Sequence, residues 1–176
     1  MKQAYLLTGG PGVGKTTLIK KAIDKAQVNA GGFFTEEIRA GGVRQGFRLV
    51  TLDGQNAILA HVDIKSHYRV SKYGVDIESL DNVGIAAIRD AIRECDVVVI
   101  DEIGKMELFS TAFKDAVLEA FNSKKRVLGT IMSTSHSWAD GIKRHPNVAL
   151  IAVTRANREQ VLKQVISWLE APITDG

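Results

Sequence analysis

Gly9, Gly14, Lys15 and Thr16 stand in the spacing G-x-x-x-x-G-K-[ST], inside the stretch LLTGGPGVGKTTLIKK that runs from Leu6 to Lys21. Those residue types at that spacing suit the holding of a phosphate chain. Consecutive backbone N–H groups converge on one anion only at backbone angles that glycine reaches cheaply, and side chains there would keep the phosphate away. A helix beginning near Gly14 aims its unpaired N–H groups and its positive dipole end at the same anion. Lys15 adds a full charge that can reach terminal phosphates, and Thr16 supplies a neutral oxygen suited to Mg2+. Thr17 can donate to an inner phosphate, and Pro11 stiffens the loop.

A second chemically loaded stretch is VVVIDEIGKMEL, from Val97 to Leu108. An apolar run ends in Asp101 and Glu102. In a fold built around a phosphate loop, such a strand lies near the loop and its terminal aspartate holds Mg2+, usually through water. Glu102 is then placed to polarise a water aimed at the terminal phosphate. Lys105 is either a phosphate contact or a structural cation, and Glu107 either caps the helix that follows or is structural. Thr130, within RVLGTI, either senses the terminal phosphate or is a satisfied strand threonine. Glu36 and Glu37 follow the second strand, at the sheet edge where ligands bind in such folds. In TRANR, from Thr154 to Arg158, Asn157 can hydrogen-bond a base, and Arg155 or Arg158 can stack on it or reach phosphate. Alternatively, Asn157 or Thr154 caps the last helix. His61, His67, His136 and His145 show no metal-ligand spacing.

The surrounding pattern supplies elements to carry these groups. Short apolar runs at 4–8, 33–35, 97–100, 127–131 and 148–153 read as strands. Helical spacing marks 16–26, a segment after Asp76 that reaches Cys95, a long amphipathic run from Leu108 to Phe121, a short piece at 138–144, and 161–169. Between 37 and 62 the pattern shortens to strand-like pieces with turn signals at Gly41-Gly42 and Asp53-Gly54, which predicts an antiparallel hairpin insertion extending or covering one sheet edge. Residues 63–75 read as loop, and Pro172 to Gly176 as a frayed tail. Strands interleaved with helices give an α/β fold with a mostly parallel sheet, in a single domain over 1–176.

Composition sets outer bounds. The chain has 176 residues, 45% hydrophobic and 24% charged, which is the globular norm. A net charge of +3 is dispersed, and its longest basic cluster, Lys124-Lys125-Arg126, reads as a solvated loop. Nucleic acid is therefore not expected as a partner. The single cysteine, Cys95, continues a helical apolar face and allows no internal disulfide, which points to a reducing, cytoplasmic setting. No apolar run approaches membrane-spanning length.

TGGPGVGKTTLI, GGFFTEEIRAGGVRQGFRLVTLDG, VVVIDEIGKMELFS, LGTI and, more loosely, TRANR together resemble a family of nucleoside triphosphatases. That family is described from thermophilic archaea and bacteria and includes the human cancer-related nucleoside triphosphatase. The glycine loop is shared by the whole P-loop superfamily, whereas the second and third stretches are far more specific. The resemblance implies a three-layer P-loop core of the RecA-related type. It also implies slow, Mg2+-dependent hydrolysis of ATP, GTP and other nucleoside triphosphates to diphosphate and phosphate. It carries two nucleotide-binding segments onto Gly9, Gly10, Pro11, Gly12, Val13, Gly14, Lys15 and Thr16, and onto Val98, Val99, Ile100, Asp101, Glu102, Ile103, Gly104 and Lys105.

The expectation is thus a triphosphatase in which Thr16 and Asp101 hold Mg2+ and Glu102 and Lys15 are catalytic. Thr17, Asn157 and Arg158 complete the nucleotide site. Two other classes use the same loop. A small-molecule or nucleotide kinase would need an acceptor pocket, which the central hairpins could line, and usually an arginine-rich lid, which the sequence lacks. A nucleotide-gated module binding RNA or protein would use hydrolysis as a timer.

Overall fold

Alternating apolar runs become alternating strands and helices in the computed structural model, which describes residues 1–173. In chain order these are β1 (Ala4–Thr8), α1 (Lys15–Ala26), β2 (Ala30–Ala40), β3 (Val43–Thr51), β4 (Asn56–His61), β5 (Arg69–Val70), β6 (Tyr73–Val75), α2 (Ile77–Ser79) and α3 (Ala86–Glu94). A π-helical turn over Leu80–Ile85 joins α2 to α3. Then come β7 (Val97–Ile103), α4 (Thr111–Asn122), β8 (Arg126–Ile131), α5 (Ser137–Lys143), β9 (Val148–Ala152) and α6 (Arg158–Glu170).

All nine strands share one sheet in the order β5-β6-β4-β3-β2-β7-β8-β1-β9. From β2 to β9 neighbours run parallel, and from β2 outward to β5 they run antiparallel. The apolar run of β7 is continuous because both of its faces are covered. Val98 and Ile100 pack into one core with α3, α4 and α5, and Val97 and Val99 into the other with α1 and α6. The result is the expected three-layer α/β architecture. β1 and β8 are sheet neighbours whose following helices, α1 and α5, go to opposite faces. A crevice opens at the carboxyl ends of strands at such a switch point, and the glycine loop occupies it.

The hairpins extend the sheet rather than cover it. β2 pairs with β7 only over Ala30–Phe33, then continues as the first strand of the β2–β3 hairpin, turning at Gly41 and Gly42. Three expectations need correction. Residues 63–75 are not all loop, because β5 and β6 form a small hairpin that seats Tyr73 in the core and against Phe47. Strands of two and three residues are too short for a period to register. The amphipathic run from Leu108 is also not one helix. A 3-10 turn at Glu107–Phe109 ends at Ser110, whose hydroxyl accepts from the Phe113 amide at 3.0 Å and caps α4. Arg126, finally, leaves the basic cluster for the interior. It donates to the Leu169 carbonyl at 2.6 Å and to that of Ala171, closing the last turn of α6. Asp76 caps the helix after it as expected, accepting from the Ser79 amide at 3.0 Å. The expected tail at Gly176 lies outside the described residues.

Candidate active site

The β1–α1 loop is shaped by its glycines. Gly9, Gly12 and Gly14 have φ of +149°, +77° and +94°, in the region that L side chains rarely adopt. A Cβ on Gly9 would also lie 2.5 Å from the Val153 carbonyl, so the loop is fitted to the end of β9 as well as to a ligand. Gly10, Pro11 and Gly12 are exposed, and Val13 packs against the α1–α6 core. Lys15, the first residue of α1, donates across the loop to the Gly9 carbonyl at 2.6 Å.

Asp101 is the junction between this loop and the sheet. Thr16 Oγ1 donates to its Oδ2 and Thr130 Oγ1 to its Oδ1, each at 2.6 Å. Thr35, from β2, donates to the Asp101 backbone carbonyl at 2.7 Å. The carboxyl is only 4% exposed, and burial pushes its pKa up, opposed by the two threonine hydrogen bonds and by the charge of Lys15.

Glu102 would point away from Asp101 in a regular strand. The β7–β8 register instead shifts between Ile100 and Ile103: Ile100 lies opposite Gly129 and Ile103 opposite Ile131, so two residues of β7 face Thr130 alone. Such a bulge re-aims side chains, and both Asp101 and Glu102 line the same cleft. Burial pushes the Glu102 pKa up, the Asp101 charge adds to that, and Lys15 opposes it. No hydrogen bond to the Glu102 carboxylate is present among the described residues. Val98, Val99, Ile100 and Ile103 are fully buried and reach the cleft only as the strand that carries these acids.

A third acid comes from the segment that follows. Glu107 is 4% exposed, and burial, then the charge of Glu102, pushes its pKa up to about 8. It does not cap α4, a task Ser110 performs, but lines the cleft beside Glu102. Lys105 is exposed at the rim.

The cleft measures about 470 Å3 and runs from Gly9, Lys15 and Thr16 past the acids to a wall of Phe47, Leu59 and Val70 from the hairpins, facing Met132 and Thr134. A smaller cavity of about 170 Å3 lies on the other side of the loop, between Gly14, Thr17, Lys21 and Arg158. Arg158 Nη1 stands 3.5 Å from where a Cβ on Gly14 would be. Asn157 is turned inward onto its own loop. It accepts from the Thr154 amide at 2.7 Å and donates to the Ala152 carbonyl at 2.8 Å. Arg155 is exposed. Glu36 pairs with Lys20, and Glu37 with Arg39 and Arg44. Of these groups, sequence reasoning missed Thr35 and, although it allowed that the central hairpins could line a pocket, it named none of Phe47, Leu59 and Val70. The pairing of β2 with both β7 and β3 places them, and no local pattern announces it.

Known proteins resemble this chain over most of its length. The NTPase family model matches residues 4–166. The chain is 44% identical over 165 residues to nucleoside-triphosphatase THEP1 of Thermotoga maritima, covering 94% of each chain. It is 37% identical over 189 residues to the human cancer-related nucleoside-triphosphatase, covering 97% of this chain and 98% of that one. The crystal structure of THEP1 from Aquifex aeolicus superposes with a TM-score of 0.87 at 38% identity, over 96% of this chain and 99% of that chain. For the solution structure of the human protein the TM-score is 0.81 at 36% identity, over 97% and 98%.

Proposed function

Because the chain belongs to the NTPase family of nucleoside triphosphatases, we propose that it hydrolyses nucleoside triphosphates to diphosphate and phosphate, slowly, with Mg2+ and with little preference for the base. Residues 1–176 act as one P-loop domain with an insertion at about 37–62, in the cytoplasm. The observation that carries the reading is the bulge in β7. It turns Glu102 into the same cleft as Asp101, whose carboxylate is clamped to the phosphate loop through Thr16.

The triphosphate tail lies along the amides from Gly9 to Thr16, with Lys15 offsetting the charge of the terminal phosphates. The base and sugar extend toward Thr17 and Arg158, where the smaller cavity lies. Main-chain contacts to phosphate do not read a base. The side chain best placed to do so, Asn157, is already committed to its own loop.

Thr16 Oγ1 and Asp101 Oδ2 are hard oxygen donors 2.6 Å apart, and the buried carboxylate gains from a nearby cation. That donor set suits Mg2+, which takes one or two protein oxygens and completes its shell with water and phosphate. Among the described residues no cluster of three or more His, Cys, Asp or Glu forms a dedicated metal cage. Held by Thr16 and Asp101, the ion would neutralise charge on the phosphates. Thr130 holds the second Asp101 oxygen and so fixes the carboxylate's orientation. Glu102 accepts a proton from water attacking the terminal phosphorus, and the bond to the β-bridging oxygen breaks.

Phosphate release should be measured from ATP, GTP, CTP and UTP, with and without Mg2+. Release from all four that ceases without metal is expected. Release confined to one base would remove the broad specificity. A phosphorylated acceptor formed much faster than free phosphate would replace the hydrolase with a kinase.

A further inference from the structure

The active-site cleft does not end at its apolar wall. A second cavity of about 390 Å3 adjoins it, and Val70 and Lys105 line both. Tyr68 pairs with Phe109, which lines this second cavity, with ring centroids 5.3 Å apart and planes tilted by 44°. The two rings are 45% and 38% exposed, and they are the only aromatic side chains among the exposed large apolar residues described. Paired aromatic faces left in water beside a cavity mark a place where a flat ligand gains by stacking.

The charges around this pair have one sign. Lys105 and Arg69 line the second cavity and have no carboxylate within ion-pair distance among the described residues. Arg69 is instead held by two main-chain carbonyls, those of Ile64 at 3.2 Å and Lys72 at 2.9 Å, which fix the guanidinium while leaving its charge uncompensated. His136 faces the same space. Its Nδ1 accepts from the Trp138 amide at 3.2 Å, which places the ring's proton on Nε2 as a donor. No acidic side chain lines the cavity. Flat apolar faces beside uncompensated cations match a ligand that joins a planar base to an anion, and the volume falls in the range of roughly 300–1,000 Å3 common for small-molecule sites.

We propose that Tyr68, Phe109, Arg69, Lys105 and His136 form a second ligand site, separate from the glycine loop, which takes a nucleoside monophosphate. The base stacks at the aromatic pair, a contact tolerant of base identity. The phosphate meets Arg69, His136 and Lys105. Val70 and Lys105 also line the active-site cleft, so the bound monophosphate sits at the far end of that cleft, beyond the acids. A monophosphate is favoured over a triphosphate because the cavity offers a few separate cations and, unlike the phosphate loop, is lined by no glycine among the described residues.

The test is a calorimetric titration of the full chain with UMP and with AMP, first alone and then with the glycine loop saturated by a Mg2+-loaded, non-hydrolysable ATP analogue. Both monophosphates are expected to bind in both conditions. Tyr68→Ala and Phe109→Ala should each weaken that binding at least fivefold, with the affinity for the analogue unchanged. Thermal melting of each variant identifies any loss through misfolding, and Tyr68→Ala, at the more exposed ring, keeps the test open if Phe109→Ala unfolds. Competition between monophosphate and analogue would overturn the proposal, since it would place both in one site. Unchanged monophosphate affinity in both folded variants would overturn it too, as would binding of a short single-stranded oligonucleotide without any binding of UMP or AMP. The analogue's own binding is read in the same experiment, so failure of the glycine-loop reading and failure of this second site are told apart.

Discussion

The two loops that meet in the cleft fix their ligand-facing groups by opposite means. The β1–α1 loop works through its main chain. It is largely exposed, and its shape is set by glycines at positive φ. The segment from Asp101 to Glu107 works through side chains, and Asp101 and Glu107 at its two ends are each only 4% exposed. A main-chain cradle can stand in water because its amides are held by backbone geometry, and an anion is attracted to them without help from burial. Carboxylates that must keep one orientation need neighbours. For Asp101 the neighbours are Thr16 from α1 and Thr130 from β8, which hold the carboxylate, while Thr35 from β2 holds its main-chain carbonyl. The contrast suggests a division of labour, with affinity residing mainly in the first loop and turnover in the second.

The largest expected effect tests that division directly. Glu102→Gln keeps the shape of the side chain and removes its capacity to take a proton. Turnover should fall by roughly a hundredfold or more, while affinity for a Mg2+-loaded triphosphate stays within about twofold by calorimetry. Lys15→Ala should do the reverse at first sight. It removes a charged donor, and affinity should weaken by about tenfold or more. If both variants lost affinity and turnover in equal measure, the two loops would be one unit and the comparison would fail.

A pair of glycines sharpens it further. A Cβ on Gly9 meets a main-chain oxygen at 2.5 Å and demands a φ that alanine avoids. Gly9→Ala should therefore distort the loop and cost about 1–3 kcal/mol in stability along with nucleotide affinity. A Cβ on Gly104 meets the flexible end of Glu102 at Oε1 and, at 3.1 Å, Glu107 Oε2, and Gly104 has no unusual φ. The Glu102 side chain can move aside cheaply, but it then leaves its position. Gly104→Ala should melt close to wild type and bind nucleotide normally, yet turn over roughly tenfold more slowly. Wild-type turnover in that variant would show that the placement of Glu102 is not exacting.

The same contrast explains what the sequence disclosed. Gly9 to Thr16 were legible because a main-chain site is written in consecutive residues. Asp101 was legible because an apolar run buried on both faces ends in it. The bulge that brings Glu102 to the same side was not, since it arises from the register between β7 and β8. Glu107 resembled a cap because it precedes an amphipathic run. Ser110, three residues on, meets the geometric requirement better, which leaves Glu107 free to turn inward. Asn157 presented an amide suited to a base, but nearby main-chain groups at Thr154 and Ala152 satisfy it first. Phe47, Leu59 and Val70 come together only through strand pairing across the insertion, and no spacing in the sequence encodes that wall.

Glu107 gives the smallest expected effect on activity, and its effect is read in stability instead. Its carboxyl ionises near pH 4.5 in an ordinary setting and at about 8 in the folded protein. Between those values the folded state holds a proton that the unfolded chain has released. Raising the pH across that window therefore removes stability, at a limiting slope of about 1.4 kcal/mol per pH unit, and below it the penalty vanishes. Glutamine occupies nearly the same volume and stays neutral in both states, so Glu107→Gln lacks this slope. The melting temperature of the variant minus that of wild type should be small near pH 5 and should widen in the variant's favour by about 10 °C by pH 8. Asp101 and Glu102, which also ionise less readily than usual, contribute to both proteins and largely cancel in the difference. A difference that stays flat from pH 5 to 8 would mean that Glu107 is ionised in the folded chain. The segment would then hold three charges against its burial, and the contrast between an open main-chain loop and a buried, partly protonated acidic one would be lost.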